Sequence, residues 1–109
     1  VKNGTVFTCW GVGYEPVGKE HFTNLVSPMK GFVDISQYKS YPFPDPVHDF
    51  DWEGYHAYVS RTKEDDKFAV AGMAITIFET SWYLRGMEEF MMDLYSDDEC
   101  CIYLLDTVT

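Results

Sequence analysis

Hydrophobic and polar positions change rhythm several times along this chain of 109 residues. From Thr5 to Val33, β-branched and aromatic residues alternate with Gly11, Gly13, Pro16 and a Gly18-Lys19 step. That pattern predicts two or three short strands joined by glycine-containing turns, a β-ribbon. In "DISQYKSYPFPDP", Asp34 can cap a single helical turn through Tyr38. Pro42, Pro44 and Pro46 then stop any helix and hold the residues before them extended. This Pro-rich connection, residues 34–48, is the best internal boundary in the chain.

A helix is expected to start at Asp49 or Asp51, either a good N-cap, with Trp52, Tyr55 and Val59 at i, i+3 and i+7 on one face. Gly54 weakens it, and the polar run "RTKEDDK" ends it. "FAVAGMAI", Phe68 to Ile75, is continuously apolar. Its length suits a strand buried on both faces, as in a parallel sheet under helices. Two helical pieces follow, Phe78 to Leu84 and Met87 to Tyr95, divided at Gly86. A last helix has Asp97 as N-cap, acids at Asp98 and Glu99 suited to the helix dipole, and an apolar stripe of Cys101, Leu104, Leu105 and Val108. Helix, buried strand and helices in that order make an α/β unit.

Composition narrows the classes. Apolar residues make up 46% and aromatic residues 17% of the chain, enough for a packed core rather than a disordered segment. No run approaches the ~18 apolar residues of a membrane span, and the first residues lack the pattern of a secretion signal. Cys9, Cys100 and Cys101 are an odd set with two adjacent members, which is no disulfide framework, so a reducing, cytoplasmic setting is expected. The net charge of −10 is uneven. Residues 1–47 carry four lysines and four acids; residues 48–109 carry four basic residues and fourteen acids. Such a surface repels a phosphate backbone, which sets nucleic acid aside as a partner. A solvated face, or a contact for a basic partner, accounts for the charge.

Complete catalytic or metal-binding motifs are absent. "DFDWEGYHAYVS" begins like a calcium loop, but Ser60 stands where that loop needs a bidentate acid. His21, His48, His56 and the cysteines make no zinc spacing. What remains is positional. The loop after a parallel strand opens on the ligand-binding edge of an α/β protein, and Thr76, Glu79, Trp82 and Arg85 lie just beyond the expected strand. Glu79 suits an acid or base, and Arg85 suits a carboxylate clamp. Against this stands the plainer alternative, in which Trp82 is core and Glu79 and Arg85 are solvated.

The succession "YPFPDP", "DFDWEGYHAYV", "FAVAGMAITIFE" and "WYLRGMEEFMMDLYSDDE" resembles the uroporphyrinogen decarboxylase superfamily, and the divergent bacterial members most. Its specific part is Phe-Glu-x-x-Trp-x-Leu-Arg-Gly-x-Glu-x-Phe-x-x-Asp-Leu, Phe78 to Leu94; "CWGV", Cys9 to Val12, is similar to a ribbon those proteins carry upstream. The resemblance implies a fragment of a (β/α)8 barrel, since such barrels need about 250 residues: a single partial domain with a β-ribbon at residues 1–33, the connection at 34–48, and a helix, strand and two helices at 49–109. It implies a parent enzyme acting on a tetrapyrrole or in corrinoid-linked methyl transfer. Thr76, Glu79, Trp82 and Arg85 would face that small-molecule ligand. No cofactor is implied in this piece, and zinc or a corrinoid only in a methyltransferase parent. The family's catalytic aspartate has no counterpart here, and its substrate-facing tyrosine aligns with Trp82. A lone piece of this kind is expected to be inactive and to self-associate, as a homodimer or more, through the unpaired strand. The competing expectation is a small acidic α/β binding or interaction module without catalysis.

Overall fold

The computed structural model describes residues 4–18, 23–72 and 75–109. Residues 19–22, which include part of the expected turn and strand, and residues 73–74, inside the expected apolar strand, lie outside the described set. Eight elements follow in order: β1 (Val6–Phe7), β2 (Gly13–Pro16), β3 (Thr23–Val26), α1 (Ile35–Lys39), α2 (Trp52–Glu64), α3 (Ile77–Arg85), α4 (Met87–Tyr95) and α5 (Glu99–Val108). The chain divides into two compact units, Val1–Pro42 with Ile75–Thr109, and Phe43–Ala74. The first cut falls inside the Pro-rich connection.

In the first unit the strands form an antiparallel meander, β1-β2-β3. Its register pairs Val6 with Tyr14 and Phe7 with Gly13, then Gly13 with Val26 and Tyr14 with Leu25. Gly13 is crowded: a Cβ there would lie 3.0 Å from both Phe7 and Val26 side chains, so a larger residue would wedge the ribbon apart. Helix α1 is fixed by a reciprocal cap. The Asp34 carboxylate accepts from the Ser36 amide at 2.7 Å, and the Gln37 side chain accepts from the Asp34 amide at 3.0 Å. Hydrogen bonding from Ser36 holds the exposed Asp34 carboxyl below its ordinary range.

Helices α3 and α4 part at Gly86, whose φ of 97° ends one and begins the other. Such a backbone angle is open to glycine and strained for other residues. Asp98 rather than Asp97 caps α5, accepting from the Cys100 amide at 2.8 Å; Asp97 takes a left-handed φ of 52° just before it. The core gathers Val12, Met29 and Tyr38 with Leu84, Phe90, Cys100, Cys101 and Leu104. Phe90 meets Phe78 edge-on at 5.7 Å, and Tyr38 meets Phe32 at 5.4 Å.

The expected barrel fragment is not what forms. A (β/α)8 piece requires parallel strands covered by helices, whereas both strand pairings among the described residues are antiparallel and lie between neighbours in sequence. Of Phe68 to Ile75, read as a buried strand, the described stretch Phe68–Gly72 joins no ladder; Phe68 is 96% and Val70 88% exposed. An apolar run becomes a buried strand only if other strands flank it. Here the other strands are two to four residues long and already paired with one another. The fold is a three-stranded antiparallel sheet with five helices among the described residues.

In the second unit, α2 starts as its cap requires. Asp51 accepts from the Gly54 amide at 2.9 Å, and the helix runs on to Glu64, further than the polar run suggests. Asp66, at φ 55°, closes it. None of the thirteen residues of α2 is buried.

Candidate functional site

The four residues expected to face a ligand lie on the first two turns and the last turn of α3. Thr76 is the N-cap, and the Glu79 carboxylate accepts from both its amide, at 3.1 Å, and its hydroxyl. These two side chains are thereby brought together as a helix start. Trp82 is half-buried and meets Tyr83 edge-on at 4.2 Å.

Arg85 is 8% exposed and engaged on every side. Its Nε donates to Asp93 Oδ2 at 2.7 Å, while Nη1 donates to Glu89 Oε2 at 2.7 Å and to the Met29 carbonyl at 3.1 Å. Glu89 Oε2 also accepts from the Gly31 amide at 3.0 Å. Burial pushes the guanidinium pKa down, but the Asp93 hydrogen bond and the charges of Asp93 and Glu89 leave it above the ordinary arginine value. The guanidinium thus joins α3, α4 and the turn after β3 from within. A ligand carboxylate would have to displace Asp93 or Glu89 to reach it.

Around this ion pair the core is proton-retaining. Burial, with the Asp98 hydrogen bond and nearby acids, pushes the Cys100 thiol up to about 11. Burial also raises Cys101, Tyr38 and Tyr41. The Tyr38 hydroxyl has no hydrogen-bond partner among the described residues. A folded-state pKa raised above the unfolded value contributes stability that is complete below the unfolded pKa and is lost as pH rises through the folded one. For Cys100 that window runs from the ordinary 9.0 up to about 11. Thermal melts across it should show a melting temperature that holds to the lower limit and then falls. The fall should be shallower in Cys100→Ala, and equal slopes would remove Cys100 as a cause.

The second unit holds the surface that the sequence did not mark. An open groove of about 890 Å³ runs along α2 and the segment after it, lined by Tyr55, Tyr58, Val59, Lys63, Phe68 and Val70 among others. Tyr55 and Tyr58 are 59% and 62% exposed. Phe68–Gly72 makes no backbone hydrogen bond among the described residues. Next to the groove, Phe50, Trp52 and Tyr55 form a run of rings, with centroids 6.2 and 5.9 Å apart and planes tilted by 40° and 43°. The Trp52 indole donates to the Pro46 carbonyl at 2.6 Å, which fixes its ring. The available signal was the aromatic spacing Trp52, Tyr55, Tyr58, which reads equally well as a core stripe.

Among the described residues no cluster of His, Cys, Asp and Glu is arranged to hold a metal ion, and no helix is long and apolar enough to cross a membrane. No protein-family model matches the chain, and no curated protein or solved structure matches it significantly.

Proposed function

We propose that the chain is an interaction module whose Phe43–Ala74 unit binds an apolar linear segment of a partner protein in the groove along α2. The observation that carries this reading is a thirteen-residue helix with no buried residue and an aromatic face in contact with solvent. Helices of this length are marginal alone, and their stability comes from packing an apolar face. Contiguous exposed apolar surface of this kind marks interaction sites.

The neighbouring segment says what form of partner suits it. The amides and carbonyls of Phe68–Gly72 are unpaired among the described residues and sit beside apolar side chains. An incoming peptide strand would pair with that backbone while placing alternate side chains into the groove, the mode of β-strand addition. The expected barrel does not form, and Arg85, expected as a carboxylate clamp, already holds two carboxylates within the chain.

Selection from a display library of random linear peptides tests the proposal. Peptides with alternating apolar residues should be enriched. Their affinity, measured by calorimetric titration, should fall roughly tenfold or more, ~1.4 kcal/mol or above, in both Tyr58→Ser and Val70→Pro. The proline removes one backbone donor that an added strand would use. Full affinity in both variants, or no enrichment, would sink the proposal. Self-association of the chain through Phe68–Gly72, abolished by Val70→Pro, would assign the segment to a second copy instead.

A further inference from the structure

The ring run at the start of α2 lies in a stretch of one charge sign. Residues 43–60 contain Asp45, Asp49, Asp51 and Glu53 and no lysine or arginine. Three of these acids already serve the chain. Asp45 accepts from the Val47 amide and pairs with His48 at 2.7 Å, Asp49 accepts from the Asp45 amide at 2.6 Å, and Asp51 caps α2. Their hydrogen bonds are local, so their negative charge remains, and it lies close in sequence to rings that are partly exposed: Trp52 is 50% exposed.

From this juxtaposition we infer that the partner segment carries a cationic side chain, arginine or lysine, which lies on the Phe50–Trp52–Tyr55 rings. This rests on the groove reading above, because Tyr55 belongs to both surfaces. A cation over an aromatic face is attracted by the ring quadrupole, most strongly over indole. The positive end of the α2 dipole opposes a cation here, but Asp51 at the cap and Glu53 in the first turn offset it. Among the described residues no cation lies over these rings. The cation–π contact found among the described residues, Lys39 over Tyr103 at 6.0 Å, lies in the other unit. Charge also decides against a second copy on this surface. Each chain carries a net −10 and would bring its own acid-flanked rings against those of its neighbour. At the far end of the groove Lys63, Asp66 and Lys67 mix both signs, and Lys67 is paired with Asp65 at 3.2 Å. The one-signed region is therefore the ring end.

The test uses peptides enriched in the selection described above. Each is synthesised with its arginine or lysine and again with citrulline or norleucine in that place. The cationic peptide should bind roughly two- to fivefold more tightly, the range expected of an exposed cation–π contact. That preference should shrink at high salt and vanish in Trp52→Leu, with α2 checked by circular dichroism. Equal affinity of the cationic and neutral peptides, or no enrichment of arginine and lysine, overturns the inference and leaves the groove standing. Failure of any peptide to bind overturns the groove reading and this inference with it. The cationic and neutral pair probes the charge on the wild-type protein, so the result stands even if Trp52→Leu does not fold.

Discussion

Replacing Arg85 with alanine is expected to lower the unfolding free energy by about 3 kcal/mol, the lower end of what removing one partner of a buried ion pair costs. The lower end is chosen because Glu89 is one-third exposed and recovers some hydration, whereas the Asp93 side chain is only 16% exposed. The loss has three parts: an unpaired buried carboxylate, a Met29 carbonyl that keeps only the Phe32 amide as donor, and a cavity where the stem packed. Arg85→Lys should restore only a part, since one ammonium cannot reproduce donation from Nε and Nη1 to two carboxylates and a carbonyl. Urea titration followed by circular dichroism measures both. A loss below about 1 kcal/mol would place Arg85 among ordinary surface ion pairs, and its role as a tie between α3, α4 and the β3–α1 turn would fall.

Phe90→Ala should cost more, about 3–5 kcal/mol, as expected for a fully buried phenylalanine replaced by alanine. Phe90 has no exposed surface and loses its edge-on contact with Phe78. Two residues along the same helix, Met92 is 68% exposed, so Met92→Ala should stay within about 0.5 kcal/mol. The contrast matters more than either value. Equal effects at the two positions would mean that α4 presents a different face to the core.

These two residues show what could be read from the chain and what could not. The Gly86 break, the Asp34 cap, a cap for α2 at Asp49 or Asp51 and the apolar stripe of α5 rest on chemistry within a few residues, and a linear reading reaches them. Arg85 and Glu89 have helix spacing, but Gly86 separates α3 from α4. Whether Asp93 also reaches the guanidinium therefore depends on the angle between two helices, which no local pattern encodes. The apolar run after α2 failed for a related reason. A continuous hydrophobic stretch states a need for cover, and only the rest of the fold determines whether cover exists. The aromatic spacing of α2 was equally ambiguous: three rings on one face say nothing about which side of that face is wet. Thr76 and Glu79 were singled out for chemistry, yet their spacing is also that of a capping box, and the structure uses it as one.

The division of the chain also bears on the order of its synthesis. The first unit is assembled from both ends of the sequence, joined by contacts such as Gly31 to Glu89 and Arg85 to Met29, 58 and 56 positions apart. On a ribosome adding about 5–20 residues per second, the meander and α1 emerge first and wait several seconds for the helices that cover them. During that interval Met29 and Tyr38, buried in the finished protein, face solvent or a chaperone. Residues 43–74 emerge meanwhile and complete their own contacts without the C-terminal helices. A truncated nascent chain ending before Ile77 would therefore leave the N-terminal segment without its cover, and protease susceptibility should drop only once α5 has cleared the exit tunnel.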